Sequence, residues 1–164
     1  MIINMPKWQS YIVTTTKPLF SPEQCQDIID AGHAEKQEEA QVGINSPDDV
    51  VNKKKRKTTI SWIAFKKLPQ MYQRIEQQLS VVNLNHFGFE NVQITEPGQF
   101  TEYSKGGFYD WHMDLDFNGQ HQPPVRKISM TCLLSDPSTF KGGDLEFIEK
   151  NNIPSLKQGQ AIFF

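Results

Sequence analysis

Apolar and polar positions along this chain change period part-way, from helical spacing to alternation. Tyr11-Ile12-Val13-Thr14-Thr15-Thr16 is rich in β-branched residues and predicts a strand, which Lys17-Pro18-Leu19 ends. Ser21-Pro22-Glu23-Gln24 then predicts a helix start. Ser21 is the N-cap, Pro22 suits the first helical position, and Gln24 can reach back to close a capping box. Cys25, Ile28, Ile29 and Gly32 form its narrow buried face, so Cys25 reads as packing. Residues 40–52, with Gly43, Pro47 and two aspartates, predict a loop, and the basic run Lys53-Lys54-Lys55-Arg56-Lys57 follows. Thr58 to Ile63 predicts a second strand. Leu68, Met71, Tyr72, Ile75, Leu79 and Val82 recur at helical spacing and predict an amphipathic helix from Pro69 to about Asn83.

Strand patterns dominate from there on. Val92 to Thr95 alternates, and Gln99 to Tyr103 resumes after Pro97-Gly98. Tyr109 to Asp114 reads as a further strand. Ile128, Met130, Cys132 and Leu134 alternate with polar partners, which makes Cys132 a core residue. Leu145 to Ile148 follows the Gly142-Gly143 turn, and Gly159 to Phe164 opens a last strand. Two helices followed by short strands point to α+β, with helices packed on an antiparallel sandwich or jelly roll.

At 164 residues the chain predicts one domain. Residues 1–88 would support a strand-rich core over 89–164. The net charge of -2 favours neither nucleic acid nor membranes. The basic run at 53–57 stands without a second basic cluster or an aromatic platform, so it reads as a solvated edge or a surface for a charged substrate. Two distant cysteines give no zinc spacing and no disulfide framework. Neither a signal peptide nor a membrane-spanning stretch is evident, so the expected location is cytoplasmic.

The candidate chemistry is His112-Met113-Asp114. Two residues apart on a strand, His112 and Asp114 would share one face. A histidine and a carboxylate there are two thirds of the 2-His-1-carboxylate site of non-haem Fe(II) oxygenases. Other candidates are weaker. His121 lies in a polar loop, His33 and His86 belong to helices, Asp110 shares the face, and Asp116 is placed to orient a ligand.

The run Gln99 to Asp114 resembles the 2-oxoglutarate/Fe(II)-dependent dioxygenases of the prolyl 4-hydroxylase type, particularly the PKHD-type hydroxylases. Arg126-Lys127-Ile128-Ser129, Leu134-Ser135-Asp136-Pro137, Lys141 to Phe147 and the opening Leu19 to Cys25 continue the likeness in order. The resemblance implies a double-stranded β-helix. It implies His112 and Asp114 as iron ligands and as the catalytic centre. Tyr103 would bond 2-oxoglutarate, Tyr109 and Trp111 would flank the metal strand, and Leu145 would be an apolar wall beside the cofactor. Arg126 matches a basic residue opening a barrel strand. The distal histidine and the basic partner of 2-oxoglutarate would lie beyond Phe164, so the jelly roll is expected to lack its last strands and to leave the terminal strand as an unpaired edge. The implied reaction hydroxylates a C–H bond, first of all of a peptidyl proline, as 2-oxoglutarate becomes succinate and CO2. Fe(II), 2-oxoglutarate and ascorbate are the implied cofactors, and a peptide or small molecule the partner. The alternative reading is an inactive binding module.

Overall fold

A computed structural model describes residues 12–40, 55–114, 125–148 and 155–164. Residues 41–52 of the expected loop, Lys53 and Lys54 of the basic run, Asp116 and His121 fall outside these, as does Tyr11 at the start of the first predicted strand.

The chain opens with β1 (Val13–Thr14) and α1 (Pro22–His33). The expected capping box is formed. Ser21 Oγ accepts from the Gln24 backbone N–H at 3.3 Å, and Gln24 Oε1 accepts from the Ser21 N–H at 3.0 Å. Two of the helix's otherwise orphaned donors are thereby satisfied within four residues. Cys25, Ile28 and Gly32 are buried along one face, as their spacing requires.

Next come β2 (Glu38–Glu39), β3 (Arg56–Lys57), β4 (Thr59–Ile63) and α2 (Pro69–Val82). A π turn at Asn83–Phe87 extends α2 and ends on left-handed Gly88. The remaining strands are β5 (Gly98–Glu102), β6 (Phe108–Tyr109), β7 (Met130–Cys132) and β8 (Ala161–Phe163), with a 3-10 turn at Pro137–Thr139. Among the described residues all pairings are antiparallel. They make two three-stranded sheets, ordered β1-β8-β7 and β2-β4-β5, and a ribbon of β3 with β6. Helices beside antiparallel sheets agree with the expected α+β class.

The core lies between the helices and the two larger sheets. Leu19, Phe20, Cys25, Ile28, Ile63, Leu79, Val82, Phe100, Ala161 and Phe163 form it. α1 approaches β4 and β5 closely at Gly32, where Ser61 Oγ donates to the Gly32 carbonyl at 2.7 Å. A Cβ on Gly32 would meet the Phe100 ring at 2.3 Å, so only glycine lets the helix sit this low. α2 is tied to the same sheet by Tyr72. Its hydroxyl donates to the Ile63 carbonyl and accepts the Gly98 N–H at 2.7 Å.

Four sequence expectations are corrected. Residues 92–95 form no strand: Val92 and Ile94 still pack on the core, but from irregular backbone. Alternation reports one-sided burial, and a segment draped over the core satisfies it without a ladder partner. Leu145 to Ile148 likewise forms no strand beyond an isolated bridge at Phe147, and Ile148 is exposed. The strand expected over Tyr109 to Asp114 ends at Tyr109. Finally, β8 is no edge. It lies between β1 and β7, and Ala161, Ile162 and Phe163 are each 0% exposed. Phe164 continues the pairing, exchanging bonds of 2.7 and 3.0 Å with Ser129.

Candidate active site

The ribbon of β3 and β6 carries the site. Arg56 lies opposite Tyr109 and Lys57 opposite Phe108, while Thr59 lies opposite Glu102. Residues 103–107 therefore face the single residue Thr58 and bulge from the ladder. The bulge closes on itself through Gly107 N–H to the Ser104 carbonyl at 2.7 Å. Extra residues in one strand re-aim the side chains beside them. Here that sets Tyr103 next to the end of β6, close to Arg56 and Tyr109.

Beyond Tyr109 the backbone bends at Trp111. Asp110 N–H still donates to the Lys55 carbonyl at 2.8 Å, and the Asp110 carboxylate accepts the Trp111 N–H at 2.8 Å. His112 stacks on Tyr109, with ring centroids 3.5 Å apart and planes 13° from parallel. Its Nδ1 lies 2.8 Å from the Asp110 carbonyl. A carbonyl can only accept, so Nδ1 carries the proton and donates it. In neutral imidazole Nε2 then presents a lone pair, and it lies 3.2 Å from Asp114 Oδ1. His112 and Asp114 thus converge as expected, although a bend brings them together where strand periodicity was expected to.

Two lone-pair donors facing each other at that distance repel unless a proton on Nε2 or a metal cation joins them. Adjacent ligands about 2.1 Å from an octahedral ion lie about 3.0 Å apart, close to the observed separation. A ring N–H bonded to a backbone carbonyl is also the usual way to orient a metal-binding imidazole. The pair fits two protein ligands of an Fe(II) centre. Among the described residues no group of three His, Cys, Asp or Glu could hold a metal ion.

Arg126 braces Asp114 from the other side. Its Nη1 lies 3.3 Å from the Asp114 carbonyl oxygen and 3.9 Å from Oδ2, and its Nη2 pairs with Glu96 Oε1 at 2.5 Å. The irregular segment carrying Glu96 thereby gains a role at the site. Arg56 covers Tyr109 from across the ribbon, its guanidinium carbon 4.3 Å from the ring centroid, and donates to Gln99 Oε1 at 2.9 Å. Burial pushes the Tyr103 hydroxyl above its ordinary pKa, and the neighbouring Arg56 charge opposes this. Tyr109 is raised for the same reason, again against Arg56.

Of the residues expected at the site, His112, Asp114, Tyr103, Tyr109 and Arg126 converge around the end of β6. Trp111 is largely exposed, and Leu145 is 39% exposed on irregular backbone after the Gly142-Gly143 turn. Arg56, Gln99 and Glu96 were not anticipated. In the sequence Arg56 is one of five consecutive basic residues, and nothing local distinguishes the one that pairs with Tyr109. His33 instead bonds Glu102 at 2.8 Å and meets the Phe100 ring edge-on.

Residues 98–164 match the family model of the 2OG-Fe(II) oxygenase superfamily. No curated protein and no solved structure matches the chain. The matched segment begins at β5, ends after β8, and contains Tyr103, His112, Asp114 and Arg126. The match supports a general dioxygenase function; Fe(II) and 2-oxoglutarate are what the matched superfamily implies. Among the described residues no helix is long and apolar enough to cross a membrane.

Proposed function

We propose that this protein is a 2-oxoglutarate- and Fe(II)-dependent hydroxylase of the prolyl 4-hydroxylase type, acting on a C–H bond of a peptidyl side chain, with proline the first substrate to try. The observation that carries this is the convergence of His112 Nε2 and Asp114 Oδ1 at 3.2 Å inside the matched segment. A jelly roll is the architecture we infer for the fold.

His112 and Asp114 would hold the iron, which supplies oxygen activation coupled to decarboxylation of the 2-oxo acid. The chain's own residues orient and enclose. The Asp110 carbonyl fixes the His112 tautomer, the Tyr109 ring fixes its plane, and Arg126 restrains Asp114. Tyr103 would donate its hydroxyl to the 2-oxo acid, since a phenol holds its proton at neutral pH. Leu145 would contribute apolar wall. Ascorbate would serve as reductant, with no residue assigned to it. We place the reaction in the cytoplasm.

The test is an anaerobic titration of the whole chain with Fe(II) and 2-oxoglutarate, followed by optical absorption. A metal-to-ligand charge-transfer band that His112→Ala loses is the expected result. A folded protein without the band would sink the proposal and leave a binding module.

A further inference from the structure

The pleat of β3 divides the basic run between two faces. Arg56 lies opposite Tyr109 and is buried against its ring, so the residues on either side of it face the other way. Lys57 is exposed opposite Phe108, which is itself 39% exposed. Lys55 is exposed opposite Asp110, where the Asp110 N–H donates to its carbonyl. The bulge between β5 and β6 adds Lys105, also exposed. The Lys57 ammonium reaches that bulge, lying 3.9 Å from where a Cβ on Gly106 would stand.

The outer face of the ribbon thus gathers Lys55, Lys57 and Lys105 about the Phe108 ring. The ion pairs among the described residues leave all of these lysines out. The Asp110 carboxylate on this face accepts from the Trp111 N–H at 2.8 Å, and nearby Glu102 is bonded to His33. Positive charge is therefore in excess here, although the whole chain carries -2. Such a patch attracts an anionic partner, and most strongly at low ionic strength. Single-stranded nucleic acid is held by stacking successive bases on aromatic rings, and this face offers one ring. An extended peptide fits better. Its alternate side chains repeat at about 7 Å, the interval between Lys55 and Lys57 along a strand. An apolar residue of the same peptide would cover Phe108.

We propose that this outer face of the ribbon docks the acidic flank of a peptide substrate. This rests on the peptide reading of the function and deepens it, because the substrate is then an acidic peptide. Phe108 and His112 are four residues apart in the chain, so a few residues of extended peptide span from the docking face to the His112–Asp114 pair.

The test uses the metal-free full-length chain and a fluorescein-labelled peptide in which glutamates flank a single proline, followed by fluorescence anisotropy. This peptide should bind more tightly than the same peptide with glutamines, and the preference should fade as salt rises from about 0.01 to about 0.15 M. The combined Lys55→Glu, Lys57→Glu and Lys105→Glu variant should lose about tenfold or more in affinity for the acidic peptide. It should gain affinity for a peptide with lysines in place of the glutamates. Should charge reversal disturb folding, the combined change of the same lysines to glutamine decides instead, with a loss of about threefold or more.

Equal affinity for the acidic and neutral peptides would overturn the docking surface, as would wild-type affinity in the folded variants. Tighter binding of an oligothymidylate than of the acidic peptide would overturn it too and make the face a nucleic-acid surface. The function fails separately. Acidic-peptide binding without a charge-transfer band in the iron titration would sink the oxygenase reading and leave the docking surface standing. The band without any acidic preference would do the reverse.

Discussion

Gly159→Ala should destabilise the protein far more than its backbone angle alone explains. Gly159 enters β8 with φ +77, a left-handed conformation that costs an L-residue roughly 1–2 kcal/mol. A Cβ there would also fall 1.9 Å from the Phe20 carbonyl oxygen, which is backbone and cannot rotate away. The chain must then separate where Gly159 is most firmly held. Its carbonyl accepts from Leu19 at 2.6 Å and Phe20 at 3.3 Å, and its N–H donates to Leu133 at 2.7 Å. Losing two or three such bonds at about 1 kcal/mol each, on top of the strain, gives roughly 3–5 kcal/mol. That is a large share of the ~5–15 kcal/mol typical of a whole domain. Gly143 supplies the control. Its φ is +74, but nothing lies within 4 Å of its added Cβ, so Gly143→Ala should cost only the strain. Urea denaturation of both variants, compared at equal m-value, measures the difference. Equal losses in the two would refute the claim that packing of β8 against the Phe20 turn drives the effect.

Three more outcomes follow from the packing and the site. Tyr72→Phe should lower stability by about 1–3 kcal/mol in the same denaturation assay, because the Gly98 N–H loses its acceptor in a half-buried place. Burial pushes the Cys132 thiol up to about 12 from 9.0, so below pH 9 it is protonated in both folded and unfolded chains. Between pH 9 and about 12 the unfolded chain loses that proton first, so stability should fall with rising pH there. Cys132→Ala should flatten that fall in a pH series of denaturation midpoints; an unchanged slope would place its cause elsewhere. On the proposed function, Arg126→Met should weaken Fe(II) affinity about 10–100-fold by freeing Asp114, while leaving the folded circular dichroism spectrum intact. Unchanged metal affinity would limit Arg126 to pairing with Glu96.

Much of the site is legible in the amino-acid sequence. Spacing and surroundings single out His112 and Asp114, the family resemblance adds Tyr103, and all three converge around the end of β6. The cause of the convergence is not legible there. Same-face placement along a strand needs a ladder, and the ladder ends at Tyr109. The bend at Trp111, the Asp110 carbonyl and the Tyr109 ring aim His112 instead. Arg56 is not legible at all, since five adjacent basic residues look alike until one of them is paired across a ribbon.

What the sequence determined alone is what few neighbouring residues can decide. The Ser21–Gln24 capping box, the start of α2 at Pro69 and the apolar stripes of both helices depend on contacts within one or two turns. Strand patterns told which faces are apolar, and they hold even at Val92 and Ile94, where no strand forms. Only the tertiary structure decided which segments pair. It set β8 between β1 and β7, where the family resemblance implies an unpaired edge, and laid Arg56 opposite Tyr109. β8 finds one partner more than a hundred residues away and the other about thirty, and Arg56 finds its own about fifty away. A backbone donor carries no mark of the distant acceptor that will satisfy it.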